Sequence, residues 1–162
     1  MPVPPRLVEL VQPWASLYND NKVVNSMVMF VHLGGLLLGG GGAVAADRDT
    51  IRNSRTSQAE QSCHLADLRS VHRVVMAGLA AAFASGLLML AGDVETLLGL
   101  TVFWVKMALI ALLLINGIIM TRVERTVRAG ESANWGRLRA VSAISLTLWF
   151  VIVLVSTLLA AA

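Results

Sequence analysis

From Val23 to Ala46 the chain carries no charged side chain, and that single run constrains the fold more than any other feature. A helix rises about 1.5 Å per residue and needs about 20 apolar residues to cross a bilayer's hydrocarbon core, so the run predicts a spanning helix. Near its middle, in Met29-Phe30-Val31-His32-Leu33-Gly34-Gly35, stands an imidazole. An ionisable group at that depth is costly and points to function by default.

Three more apolar runs follow, which places the spans at approximately 23–46, 71–91, 102–121 and 139–161, the third interrupted at Lys106. With 56% hydrophobic residues, 14% charged residues and a mean hydropathy of +0.71, the chain is far from a soluble domain. The expected fold is all-α: one integral membrane four-helix bundle with a short N-terminal interfacial helix. The opening MPVPPRLVELVQPW lacks a basic region followed by an apolar core and a small-residue cleavage site, so no cleavable signal peptide is expected.

Basic residues set the expected orientation. Arg48, Arg52, Arg55, Arg69 and Arg73 flank the first connection, and Arg122, Arg125, Arg128, Arg137 and Arg139 flank the third. The middle connection, AGDVETLLGLT, has Asp93 and Glu95 and no basic residue. The positive-inside rule then makes the two basic loops cytoplasmic and both termini external, in a bacterial-type inner (plasma) membrane. The pI of about 9.8 reflects this topology and gives no ground for a nucleic-acid partner. Cys63, the only cysteine, falls in the first basic loop, where it supports neither a disulfide nor a metal site alone.

Ahead of the first span, Leu7, Leu10, Val11, Trp14 and Leu17 recur at helical spacing, with Arg6, Glu9 and Gln12 opposite. Pro13 is expected to kink or end this helix, Trp14 and Tyr18 suit the headgroup layer, and Asp20 or Asn21 can cap the span that follows. Within that span His32, Gly35, Gly39 and Ala43 fall on one face at 100° per residue, flanked by Met29 and Leu36. Such a face either lets another helix approach closely or leaves room for a flat ring.

From about Ser57 the first connection reads as a helix continuing into the second span, with His64 a solvated surface residue. His72 marks the inner mouth of that span, one turn from Met76 and beside Arg69 and Arg73; it is either a ligand or a snorkelling residue. Gly78, Ala81, Ala82, Ser85 and Gly86 predict a central, tightly packed second helix. The third opens with Thr101, Phe103 and Trp104 and places Lys106 about 7 Å below the outer boundary. Lys106 is one of only two lysines; it either snorkels or binds. Asn116 is expected to bond a neighbouring helix. Gly130 reads as a helix stop, Ser132 or Asn134 as a cap, Trp135 as an interfacial ring and Trp149 as a packing ring at mid-depth. The fourth helix, rich in Leu, Val and Ile, reads as lipid-facing or dimer-facing.

The intramembrane donors are His32, His72, the methionines and Lys106. No carboxylate pair, no nucleophile with a histidine partner and no phosphate loop appears, which leaves hydrolysis and phosphoryl transfer without candidates. Haem fits this inventory, because it needs one or two axial donors and an apolar slot lined by small and aromatic residues, for which Gly35, Gly39 and Trp104 are candidates. His32 and Lys106 share the outer half, whereas His72 is about 15 Å deeper, so His32 and His72 cannot serve one haem.

The first-span His32 with Gly34, Gly35 and Gly39, followed by a third span reading FWVKMALIALLLING, resembles the membrane superfamily of CopD-type copper-resistance proteins and HemJ-type protoporphyrinogen oxidases. On the HemJ side the resemblance implies haem binding and porphyrinogen oxidation at His32 and Lys106. Departures are a first span without the tryptophan-containing stretch before its glycines, and Asn116 about where that pattern tends to have a histidine. On the CopD side it implies copper held by Met29 and His32. The expectation is a b-type haem protein that passes electrons, with a quinone or a redox protein as partner and a homodimer through the glycine face or the fourth helix. The alternatives are a copper-handling protein with Met29 and His32 as its ligands and a cofactor-free accessory subunit of a membrane complex; the candidate metal ligands overall are His32, Lys106, His72 and Met29.

Overall fold

The computed structural model describes residues 4–53, 58–129 and 135–160, with side chains throughout except at 58–70 and 160. Pro5–Asp20 forms α1, with a proline in its first turn where a missing N–H costs nothing. Asn21 then caps α2 (Lys22–Leu36), its side chain accepting from the amides of Val23 at 3.0 Å and Val24 at 3.3 Å. Helix α2 passes through a π-helical turn, Leu37–Gly41, into α3 (Gly42–Asn53). Next come α4 (Gln58–Gly92), the short α5 (Val94–Gly99), α6 (Thr101–Arg128) and α7 (Trp135–Ala160). Four segments are long and apolar enough to cross a membrane: Lys22–Asn53, Val71–Gly92, Thr101–Arg128 and Trp135–Leu159. The protein is an all-α membrane four-helix bundle, with no strand among the described residues.

Helix α4 confirms the continuous helix expected from about Ser57 into the second span. Helix α1 does not end at Pro13 but runs on to Asp20. It is held by α4, where Trp14 Nε1 donates to Leu88 O at 2.8 Å and Asn19 Nδ2 to Gly92 O at 3.0 Å, and Tyr18 lies over Gly92. These tertiary bonds outweigh the one helical hydrogen bond that proline removes.

Two helix pairs make the bundle. Helices α2 and α3 lie along α4, while α6 lies along α7, and α3 joins the pairs by packing on α7. The core of the second pair is Val127 and Leu138, with Met120, Val123 and Trp135 around them. Asn116 Nδ2 donates to Val141 O at 3.1 Å, the interhelical bond expected of it. Ile144, Phe150, Val153, Leu154 and Leu158 of α7 are exposed, as a lipid-facing or dimer-facing helix allows, but that reading does not foresee the buried residues Leu138, Ser142, Ser145, Trp149 and Ile152. Their 4-3-4-3 spacing is a packing stripe on a helix whose overall apolarity conceals it. Gly130, Ser132 and Asn134 lie outside the described residues, as do the side chains of Cys63 and His64.

Candidate functional site

Glycines fix how α2 meets α4. A Cβ at Gly35 would come within 2.6 Å of Ala82 N, and one at Gly39 within 2.7 Å of Leu79 N, so only glycine permits this crossing. The two glycines share a face as expected, but α4 backbone fills it and a flat ring has no room at their level. Gly34 has open space instead. The π turn then changes the angular step, so the layout that grouped Ala43 with His32 does not continue beyond it. Gly40 lies against the Trp149 ring of α7, and Gly42 against Val75 of α4. Trp149 is thus the packing ring expected.

His32 is partly buried and faces α4. Its Nδ1 lies 3.0 Å from Ala82 O and 3.1 Å from Ser85 Oγ. The Ser85 hydroxyl donates to Ala81 O at 2.7 Å, leaving its lone pairs to accept. Nδ1 therefore carries the hydrogen, and the Nε2 lone pair is free of any partner among the described residues. A carbonyl holding one ring N–H fixes the tautomer and aims the other nitrogen, which is the usual support of a metal-bound histidine. The sequence reading counts Ser85 only among the small packing residues of the second span and does not foresee its contact with His32.

The other expected site residues scatter. Lys106 is partly buried on α6. Helices α2 and α4 do not pack closely on α6. Met29 is 38% exposed, one turn from His32. Trp104 is 56% exposed and its Nε1 donates to Leu98 O at 3.0 Å, so it points away from the bundle; the buried ring at that level is Phe103. His72 is exposed, about 15 Å along α4 from Ala82. Of the expected site residues, His32 and Lys106 are the two partly buried nitrogen donors. No group of three or more His, Cys, Asp or Glu side chains suited to a metal ion occurs among the described residues.

Asp47 is a further polar centre. The sequence treats it as the end of an apolar run, but the helix continues to Asn53 and Asp47 turns inward, 2% exposed, beside Ser142 and Ser145.

No family model, curated protein or solved structure matches the chain.

Proposed function

We propose that the protein is a membrane-embedded b-type haem protein that passes electrons, with His32 Nε2 as one axial donor and Lys106 as the candidate second. The observation that carries the reading is the His32 tautomer: Nδ1 is tied to Ala82 O and Ser85, and Nε2 has a free lone pair. Haem, when bound, would supply reversible one-electron chemistry. The chain's own part is to hold the imidazole rigid, to keep water away with apolar walls, and to offer the Lys106 amine from the facing helix pair. The ring would sit between the pairs, since the Gly35–Gly39 face is occupied by α4. A CopD- or HemJ-like relationship and a quinone or redox-protein partner belong to the same proposal. So does a bacterial-type inner membrane, with the arginine-rich loops cytoplasmic and both termini outside.

A second reading rests on the same hydrogen bond. Because Ala82 O and Ser85 already offset the polarity of His32, the imidazole can serve as a clasp between α2 and α4 in a cofactor-free subunit of a larger complex.

Visible absorption of the purified protein, with metal analysis, tests both. A Soret band with α and β bands on reduction, lost in His32→Ala and displaced in Lys106→Ala, is the expected result. A colourless, metal-free protein overturns the haem reading and leaves the clasp. A colourless protein with stoichiometric copper, lost in Met29→Leu, would point to the CopD-type alternative.

A further inference from the structure

Hydroxyl groups inside membrane helices usually donate to a carbonyl of their own helix, three or four residues back. Thr50, Ser85, Thr121, Thr126, Thr147 and Thr157 all do so here. Ser142 does not. It is 0% exposed, and its Oγ has no hydrogen-bond partner. Across the interface, Asp47 of α3 is 2% exposed, and its Oδ1 is likewise without a partner. Ser142 and Ser145 are the side chains that act on the Asp47 carboxyl, with Ser142 beside it but outside hydrogen-bond geometry.

An unpaired carboxylate shut away from water costs several kcal/mol or more, roughly what breaking a buried ion pair costs. No described side chain supplies the missing positive charge. On α3 itself Arg48, Asp49 and Arg52 are exposed; on α4 His72 and Arg73 are exposed; on α7 Arg137 and Arg139 are exposed. The carboxyl, the unbonded serine and the second serine thus converge on a place where no described side chain supplies a positive charge.

We propose that Asp47, Ser142 and Ser145 form a binding site for one monovalent cation, a proton or Na+, between α3 and α7. Both occupants bring the same chemistry. A sodium ion would take oxygen from the carboxylate and both hydroxyls. A proton on the carboxyl would remove its charge and supply a donor that Ser142 Oγ could accept once the two groups move into hydrogen-bond geometry. The site is about 15 residues along the first span from His32, about 20 Å at helical rise, and is independent of any haem there.

Two measurements on the full-length protein in detergent or nanodiscs decide it. Thermal unfolding is followed in NaCl and in equal choline chloride, and infrared spectra are recorded for the wild type and Asp47→Asn. If sodium occupies the site, NaCl raises the melting temperature of the wild type but not of Asp47→Asn, and Ser142→Ala raises the half-effective sodium concentration about tenfold. If a proton occupies it, melting ignores sodium, and the wild type shows a protonated carboxyl stretch that Asp47→Asn lacks and Ser142→Ala displaces. A wild type with neither a sodium response nor that stretch overturns the proposal. Should Asp47→Asn not fold, Ser142→Ala decides alone: an unchanged sodium response and an unchanged stretch overturn the site equally.

Discussion

His32 Nδ1 and Ser85 Oγ lie 3.1 Å apart on facing helices, and the serine shares with Ala82 O the task of holding the imidazole. Ser85→Ala leaves the carbonyl in place, so the cost to folding is about 0.6 kcal/mol, typical of one hydrogen bond between membrane helices. With haem on Nε2, loss of this outer support lowers affinity about tenfold while the absorption bands persist. On the proposed haem reading, His32→Ala removes the bands altogether. Haem titration of the two variants, read beside their melting curves, separates support from ligation. Equal loss in both would show that Ser85 is more than a support.

Gly34 and Gly35 are neighbours in sequence with opposite fates. Gly35→Ala drives a methyl group into α4 backbone, at 2.6 Å from Ala82 N and 2.7 Å from Gly78 O, and neither atom can move without shifting the helix. The expected cost is about 1–3 kcal/mol, the range for overpacking. Gly34→Ala meets nothing within 4 Å and removes a residue of poor helix propensity, so its stability should equal or exceed that of the wild type by up to about 1 kcal/mol. Thermal unfolding of the two variants in the same detergent checks the difference; equal melting temperatures would contradict the close crossing.

Much of this architecture was legible in the sequence because membrane spans need long apolar runs. The four runs, a cap at Asp20 or Asn21 and a bond from Asn116 to a neighbouring helix all follow from length, capping chemistry and the cost of an unpaired amide in lipid, and the structure makes them the Asn21 cap and the bond to α7. What was not legible is how the helices face one another. In α7 apolar residues occupy every side, so periodicity cannot reveal the stripe from Leu138 to Ile152. In the first span the run of glycines admits a π turn whose altered step breaks the assumption of 100° per residue. At the site, the choice between glycine as slot and glycine as crossing depends on which helix lies opposite, and Gly35 and Gly39 are met by α4. Asp47 was hidden by its own charge, which read as the end of the membrane segment.

Gly40 and Trp149 form the contact where the first span reaches the second helix pair. A Cβ at Gly40 would stand 2.9 Å from Trp149 Cζ3 and 3.1 Å from Cη2, too close for the ring as placed. Gly40→Ala alone should therefore destabilise by about 1–3 kcal/mol. Trp149→Phe alone should cost a comparable amount through the gap it leaves. Combined, the smaller ring makes room for the methyl group and the double variant should be more stable than the sum of the single effects, by about 1 kcal/mol. A double-mutant cycle on unfolding free energies measures this directly, and strict additivity would deny the contact.

The docking of α1 gives the last test. Tyr18 is 7% exposed and its ring sits so close to Gly92 that a Cβ there would stand 2.5 Å from Cδ1. Trp14 and Asn19 bond backbone carbonyls of the same α4 segment, at Leu88 and Gly92. These three contacts all fall in the second half of α1, whereas Leu10, one turn before Trp14, is 79% exposed. Gly92→Ala therefore pushes Tyr18 off the end of α4 and lengthens the Asn19 bond, while leaving the spans themselves untouched. The expected result is faster proteolysis within residues 5–20 and altered tryptophan emission from Trp14, with little change in the main melting transition. Leu10→Ser, at a position 79% exposed, should leave both protease resistance and emission as they are in detergent. If Gly92→Ala behaves like Leu10→Ser, α1 is held by the membrane surface alone and its bonds to α4 contribute nothing measurable.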